Sequence, residues 1–131
     1  MILVDSGVIG VIIDFLRTKD PKLDALLRSL PVAVCGVTRA EILHGSRSGA
    51  DRQRLLVFLS AFQQVPILDS WWDVVGDNLA ALRASGITVP FPDAVIATVG
   101  IESDIEIWAR DAHFPAMQKV LPRLKLFQEP P

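Results

Sequence analysis

The sequence lacks the features that define several protein classes, beginning with paired cysteines and membrane-spanning segments. Cys35 is the one cysteine, so neither a disulfide framework nor a thiolate metal site is expected. It lies in "PVAVCGV", which predicts a buried strand and favours a small core residue at this position. No apolar run approaches the roughly 20 residues needed to cross a bilayer. The N-terminal "MILVDSG" has no basic segment, so we expect no signal peptide and a cytoplasmic location.

The sequence also lacks a surplus of basic charge. Thirteen Lys and Arg against 15 Asp and Glu give a formal charge of −2, which predicts no strong attraction for nucleic acid. If four of the 15 acids form one cluster, however, 11 acids remain against 13 basic residues elsewhere. The overall charge therefore does not exclude a polyanionic substrate. The 131 residues are half hydrophobic, which predicts one domain with a packed core.

Short apolar runs alternate with helical stretches along the chain, without linkers or repeats. This order predicts a parallel sheet covered by helices on both faces, an α/β/α sandwich in one domain spanning 1–131. Ser70 begins one helix in a short variant of the capping box, with Asp73, and Gly86 ends it. The predicted strands are Ile2–Val4, Val32–Cys35, Val65–Leu68, Ile105–Trp108 and Leu124–Phe127. The other predicted helices are Val8–Leu16, Leu23–Leu30, Thr38–Arg47, Arg52–Phe62 and Asp93–Ile101.

Four acidic residues are predicted at one edge of this sheet. Asp5 and Asp111 follow strands, while Asp93 begins a helix and Glu41 lies one turn into another. Strand ends and helix starts of an α/β unit meet at the carboxyl edge of the sheet, where ligands bind. Two carboxylates about 4 Å apart repel by roughly 4 kcal/mol at an effective dielectric near 20. Four carboxylates cannot all stay ionised there unless they are spread apart, protonated or neutralised by a cation, and all-oxygen ligands suit Mg²⁺ or Mn²⁺.

Each of these acids also has a purely structural interpretation. Asp5 and Asp93 could cap the helices that follow them, and Asp111 could be an ordinary turn acid. Glu41 completes "TRAE", a capping-box pattern in which it would bond back to the amide of Thr38. Capping and metal binding are compatible, because a capping carboxylate has a second oxygen to offer.

Four stretches resemble the PIN domain family, and within it the VapC toxins of toxin–antitoxin pairs. They are "ILVDSGVI", "TRAEILHGSR", "GITVPFPDAVIATVG" and "IWARDAHF", in the family's order and near its spacing. The resemblance covers nearly the whole chain and implies that Asp5, Glu41, Asp93 and Asp111 bind the metal and act in catalysis. It implies a homodimeric Mg²⁺- or Mn²⁺-dependent endoribonuclease, whose site an antitoxin tail blocks.

The sequence departs from the family pattern at two positions. Ser6 takes the hydroxyl position that follows the first acid, but Gly7 stands where a second hydroxyl residue is usual. Ala109 stands where threonine usually precedes the Arg–Asp pair. We expect these changes to affect efficiency or metal preference rather than the chemistry.

Several other residues near the acids could contact RNA, although a structural role is the default for each. Arg39, Arg47 and Arg110 could hold RNA phosphates. His44 and His113 are interpreted as surface or packing residues, with a phosphate contact as the alternative. Trp71 and Trp72 begin a helix with an apolar stripe of Val75, Leu79 and Leu82, which favours core or dimer packing over base stacking.

Three functions compete at this stage. The leading hypothesis is a ribonuclease toxin, in which metal-activated water attacks a phosphodiester and leaves 5′-phosphate and 3′-hydroxyl ends. A receiver-like signalling domain would need a phospho-acceptor such as Asp69 and a lysine after its fifth strand, which "FQEPP" does not offer. The third hypothesis is a PIN-like scaffold that binds RNA or protein without cutting. The loss of one of the four acids would have favoured it, but all four are present.

Overall fold

The structure, a computed structural model, describes residues 1–18, 21–22, 25 and 29–129. The helix predicted around Leu23–Leu30 lies largely outside these residues. Among the described residues, no helix combines the length and the apolar character that crossing a membrane requires.

In the part of the chain that the structure describes, four short parallel strands form the sheet. They are β1 (Ile2–Val4), β2 (Val32–Cys35), β3 (Gln63–Val65) and β4 (Glu106–Trp108), in the order β3-β2-β1-β4. β1 is central, and Leu3 lies opposite Ala33 of β2 and Ile107 of β4. Residues 2–4 are buried on both faces, which explains why the strand is continuously apolar.

Six helices surround the sheet in the described residues. They are α1 (Ser6–Thr18), α2 (Gly36–His44), α3 (Gly49–Ser60), α4 (Trp71–Ala84), α5 (Phe91–Ser103) and α6 (His113–Gln118).

Two apolar clusters lie on opposite faces of the sheet, because side chains alternate along each strand. Val4 and Trp108 belong to the cluster with residues of α1 and with partly buried residues of α2 and α3. Leu3 and Ile107 belong to the cluster that holds the buried residues of α4, α5 and α6. This three-layer arrangement confirms the predicted α/β/α sandwich with a parallel sheet.

Helix α5 lies in the second cluster and is apolar around its whole circumference. All of its residues from Ala94 to Ile101 are buried, as expected for a helix without a polar face. Pro90 is its N-cap, and Pro92 is tolerated in the first turn, where backbone N–H groups have no partner within the helix. The buried part of the helix therefore holds its first turn at the carboxyl edge of the sheet.

Some predicted strand boundaries were wrong. β3 ends at Val65 rather than Leu68, because Pro66 lacks the N–H group that would continue the ladder. The strand predicted at Leu124–Phe127 is a single parallel bridge between Ile107 and Leu126, with hydrogen bonds from only two backbone N–H groups.

Helix α4 tests the predicted capping signals. The Ser70 side chain makes no capping hydrogen bond, so the capping-box interpretation with Asp73 was wrong. Gly86 has a φ of 76° and ends the helix as predicted. The apolar stripe is core, since Val75 and Leu82 are buried, whereas Trp72 is 41% exposed.

Candidate metal centre

The four predicted acids line one cleft at the carboxyl edge of the sheet. Asp5 follows β1, Glu41 lies in α2, Asp93 lies in the first turn of α5, and Asp111 lies between β4 and α6. The cleft has a volume of about 470 Å³. Its lining residues are Asp5, Ser6, Gly7, Val11, Glu41, Pro90, Pro92, Asp93, Arg110, Asp111 and His113.

Asp5 lines the cleft and is buried, with 7% of its surface exposed. Its Oδ1 accepts the backbone N–H of Val8 at 3.0 Å, so it caps α1 as its structural interpretation proposed. Burial raises the pKa of Asp5 above its ordinary value, although this hydrogen bond opposes the shift. The charges of Asp93, Asp111 and Glu41 raise the pKa further. The capping role thus leaves Asp5 within the electrostatic reach of the other three acids.

Glu41 is exposed on α2 and faces the first turn of α1. Ser6 Oγ donates a hydrogen bond to Glu41 Oε1 at 3.3 Å. The capping-box interpretation was wrong, because the N-cap of α2 is Cys35, without a side-chain cap. The Thr38 hydroxyl instead donates to the carbonyl of Val4 at 3.2 Å, which joins α2 to β1.

Asp93 is the third residue of α5 and does not cap it. The N-cap is Pro90, and no side chain makes a capping hydrogen bond there. The Asp93 carboxylate instead lies 2.9 Å from His113 Nδ1. Burial raises the pKa of Asp93 despite the opposing contact with His113, and the charge of Asp111 raises it further. The ionised form of Asp93 is therefore disfavoured in the folded protein, and helix capping does not explain why an acid occupies this position.

Asp111 forms the turn that leads into α6. Its Oδ1 accepts the backbone N–H of His113 at 2.8 Å, so the turn-acid interpretation also holds. The same oxygen lies 2.8 Å from His113 Nδ1.

His113 is the residue that the sequence interpretation undervalued, since its ring nitrogen lies between the Asp93 and Asp111 carboxylates. The available signal was its position two residues after an acid already assigned to the site.

The ligand atoms of Asp93, Asp111 and His113 lie within 4.8 Å of one another, so these side chains could hold a metal ion. Carboxylate oxygens and imidazole nitrogens are both common ligands of divalent ions. Asp5 and Glu41 line the same cleft but stand outside this group of three.

The predicted RNA-contacting arginines differ in position. Arg110 lines the cleft, and its Nε and Nη2 donate to the two carboxylate oxygens of Glu129 at 2.7 and 2.9 Å. Trp108 Nε1 donates to the same carboxylate, and the Arg110 guanidinium lowers the pKa of Glu129. Arg39 and Arg47 are not among the cleft-lining residues.

The two departures from the family pattern have different surroundings. A side chain at Gly7 would place its Cβ 3.5 Å from Asp5 Oδ1, which is ordinary contact. The space at Gly7 therefore admits a Cβ without a clash. Ala109 packs partly buried against the core cluster of α4, α5 and α6, and it does not line the cleft.

Comparison with known proteins gives matches among solved structures alone. No protein-family model matches the chain, and no curated protein matches it significantly. The chain is similar to VapBC2 from Rickettsia felis, crystallised with a DNA fragment from its promoter, with a TM-score of 0.73 and 18% identity. It resembles FitAcB from Neisseria gonorrhoeae with a TM-score of 0.73 and 20% identity. VapBC-1 from nontypeable Haemophilus influenzae gives a TM-score of 0.76 and 13% identity.

These matches extend over whole chains. They cover 97%, 98% and 97% of this chain, and 98%, 98% and 97% of the matched chains, in the same order. The chain therefore has the PIN-like α/β/α fold of VapC-type proteins, which confirms the fold expected from the four motifs.

Proposed function

We propose that this protein is a metal-dependent endoribonuclease toxin of a VapBC-type toxin–antitoxin pair, with residues 1–131 as its single nuclease domain. The observation that carries the proposal is the convergence of Asp5, Glu41, Asp93 and Asp111 on one cleft. The likeness to solved VapBC and FitAB complexes supports the toxin–antitoxin role.

In this proposal the four acids and His113 create a site for Mg²⁺ or Mn²⁺. Burial and mutual repulsion raise the pKa of Asp5, so a cation that neutralises the cluster would stabilise the ionised carboxylates. When bound, a divalent ion supplies a nucleophilic water and stabilises charge at phosphorus. Ser6 supports this site by donating to Glu41.

Arg110 is the residue we assign to an RNA phosphate. It lines the cleft beside the acids, and Glu129 holds its guanidinium through two parallel hydrogen bonds. Such pairing orients an arginine, and it uses two of the five N–H groups that the side chain carries.

The proposed partners are an RNA substrate, a VapB-type antitoxin and a second copy of this chain. Large apolar side chains are exposed at Val57, Leu68, Trp72 and Phe91, and exposed apolar surface is typical of interaction sites. We expect a dimer by light scattering at micromolar concentration, and a monomer would contradict this part of the proposal.

The topology disfavours the receiver-like alternative. Receiver domains of the flavodoxin type have the strand order 2-1-3-4-5, whereas the described strands here have the order β3-β2-β1-β4. Asp69, its possible phospho-acceptor, is exposed and does not line the cleft with the four acids.

Cleavage of a structured RNA with and without chelator tests the proposal. Activity should stop in EDTA and return with Mn²⁺ or Mg²⁺. Asp69→Asn serves as the control, because it removes an acid outside the cleft and should cut like the parent. Cleavage that persists in EDTA would contradict the metal mechanism. Metal binding without cleavage of any RNA would favour the non-cleaving scaffold.

A further inference from the structure

His113 lines the cleft, although no metal-binding role is predicted for it from the sequence. Its Nδ1 is 2.9 Å from Asp93 Oδ2 and 2.8 Å from Asp111 Oδ1. The ring is 40% exposed and opens to the same cleft as both carboxylates. One ring nitrogen therefore faces two carboxylate oxygens from separate parts of the chain.

The position of the ring is set by the backbone around it. The backbone N–H of His113 donates to Asp111, and the next residue, Phe114, is buried with 1% exposure. Asp93 is held by the buried part of α5. The three groups are thus brought together by elements packed in the core, which is the kind of support that a preorganised ligand set requires.

The separations between these atoms suit ligands of one ion. Adjacent ligand atoms around an octahedral ion with bonds of about 2.0–2.1 Å lie roughly 2.8–3.0 Å apart. The two observed separations, 2.8 and 2.9 Å, are close to this spacing. A single N–H group can satisfy only one of the two carboxylates well, whereas an ion can bond to all three groups at once.

We propose that His113 Nδ1 is a direct metal ligand together with Asp93 and Asp111, and that this nitrogen makes the site prefer Mn²⁺ over Mg²⁺. Mg²⁺ prefers oxygen ligands and gives up its waters reluctantly, whereas Mn²⁺, although the weakest binder among the divalent first-row transition metals, belongs to the series that binds sites containing nitrogen. The inference rests on the proposed function in one respect, that the cleft binds a divalent ion. It goes further by assigning a mixed nitrogen and oxygen ligand set.

The first measurement detects the bond itself in the intact protein. With Mn²⁺ bound, electron spin echo envelope modulation should show coupling to a directly bonded ¹⁴N nucleus. The coupling should disappear in His113→Asn, whose amide can still hydrogen-bond to a carboxylate. It should persist in His44→Asn, which changes the other histidine of the chain, exposed on α2.

The second measurement is calorimetric titration with Mn²⁺ and with Mg²⁺. His113→Asn should weaken Mn²⁺ binding by at least about tenfold, the loss seen even when a group that only supports a ligand is removed. Its affinity for Mg²⁺ should change much less, so the preference for Mn²⁺ should shrink. His44→Asn should leave both affinities at the parent values.

The outcomes separate this inference from the proposed function. Bound Mn²⁺ without ¹⁴N coupling in the parent would overturn the role of His113 and leave the metal-dependent nuclease intact. Equal losses of Mn²⁺ and Mg²⁺ affinity in His113→Asn would overturn the proposed metal preference. A parent protein that binds neither ion would contradict the proposed function and this inference with it.

Discussion

The first turn of α5 and the remainder of the same helix follow opposite physical rules. From Ala94 to Ile101 every residue is buried, and Gly100 lies so close to β4 that an added Cβ would be 2.6 Å from Ile107 Cδ1. In the first turn, Asp93 keeps a half-buried carboxylate beside Asp111, at a cost that its raised pKa records. The buried part stabilises the fold, whereas the first turn carries a charge that does not stabilise the fold.

This difference implies that stability and activity separate along one helix. Changes in the buried part should lower the free energy of unfolding and leave the chemistry of folded molecules unchanged. Changes in the first turn should lower the activity of folded molecules and leave the free energy of unfolding nearly unchanged.

The largest expected effect is the loss of RNA cleavage in Asp93→Asn, by on the order of a hundredfold or more, since a metal-bound carboxylate supplies several kcal/mol of charge stabilisation. The variant should fold with little loss of stability, because Asp93 makes no capping hydrogen bond. Glu41→Gln should behave in the same way. Single-turnover cleavage and thermal melting measure the two quantities.

A matched control lies at the other end of the helix. Asp104 is exposed, accepts a hydrogen bond from Lys125 and has a φ of 55°, a conformation that asparagine tolerates well. Asp104→Asn should therefore cut RNA like the parent. If Asp104→Asn loses as much activity as Asp93→Asn, then removing any acid near α5 has the same effect, and the loss in Asp93→Asn does not identify a metal ligand.

The next effect in size is a loss of stability in Gly100→Ala. The new methyl group would overlap Ile107 Cδ1 and Cγ1, which lie 2.6 and 2.7 Å from the Cβ position. Overpacking of this kind costs about 1–3 kcal/mol. Denaturant unfolding measures the loss, while cleavage per folded molecule should stay at the parent value. Gly76→Ala in α4 is the control, since nothing lies within 4 Å of its Cβ position; there the change should stabilise by roughly 0.5–1 kcal/mol.

A smaller loss of stability is expected from breaking a hydrogen bond between α4 and α5. Asn78 Nδ2 donates to Thr98 Oγ1 at 2.9 Å, and the buried Thr98 hydroxyl donates to Ala94 O at 2.8 Å. Asn78→Ala should cost about 1 kcal/mol, the usual contribution of one hydrogen bond. Asp77→Ala, at an exposed neighbouring position of α4, should cost less in the same unfolding experiment. Equal losses in both variants would show that the bond to Thr98 adds nothing.

The smallest effect concerns Asp5 in metal-free protein. Its pKa is raised in the folded state, so its ionised form opposes folding at neutral pH, and this penalty disappears as the pH falls through the raised pKa. Asp5→Asn cannot ionise but can still cap α1. In EDTA it should be slightly more stable than the parent at pH 7, with the difference shrinking toward the ordinary pKa of 3.8. A variant less stable than the parent at pH 7 would contradict this reasoning.

Much of the fold could be predicted because burial and chain direction leave their pattern in the sequence. Ile2–Val4 and Val32–Cys35 are continuously apolar, and the structure has strands with these boundaries. The carboxyl-edge rule brought Asp5, Glu41, Asp93 and Asp111 to one cleft, because the acids follow strands or lie near helix starts.

The remaining features depend on contacts between distant segments, which local patterns do not contain. "TRAE" is a sound capping-box pattern, yet Thr38 bonds to Val4, 34 residues away in the chain. His113 meets Asp93 across 20 residues, and Arg110 meets Glu129 across 19. A histidine two residues after an acid gives no sign of a second carboxylate on its other side.

Thermal melting with and without Mn²⁺ tests most directly whether the first turn of α5 belongs to a metal site. The parent should melt at a higher temperature in Mn²⁺ than in EDTA, because an ion that binds only the folded state adds about 2.7 kcal/mol at a hundred times its Kd. Asp93→Asn should melt in EDTA at or above the parent's temperature and lose most of the shift on adding Mn²⁺. A parent whose melting temperature does not change with Mn²⁺ would contradict the metal site. An Asp93→Asn variant that keeps the parent's full rise in melting temperature would contradict it as well.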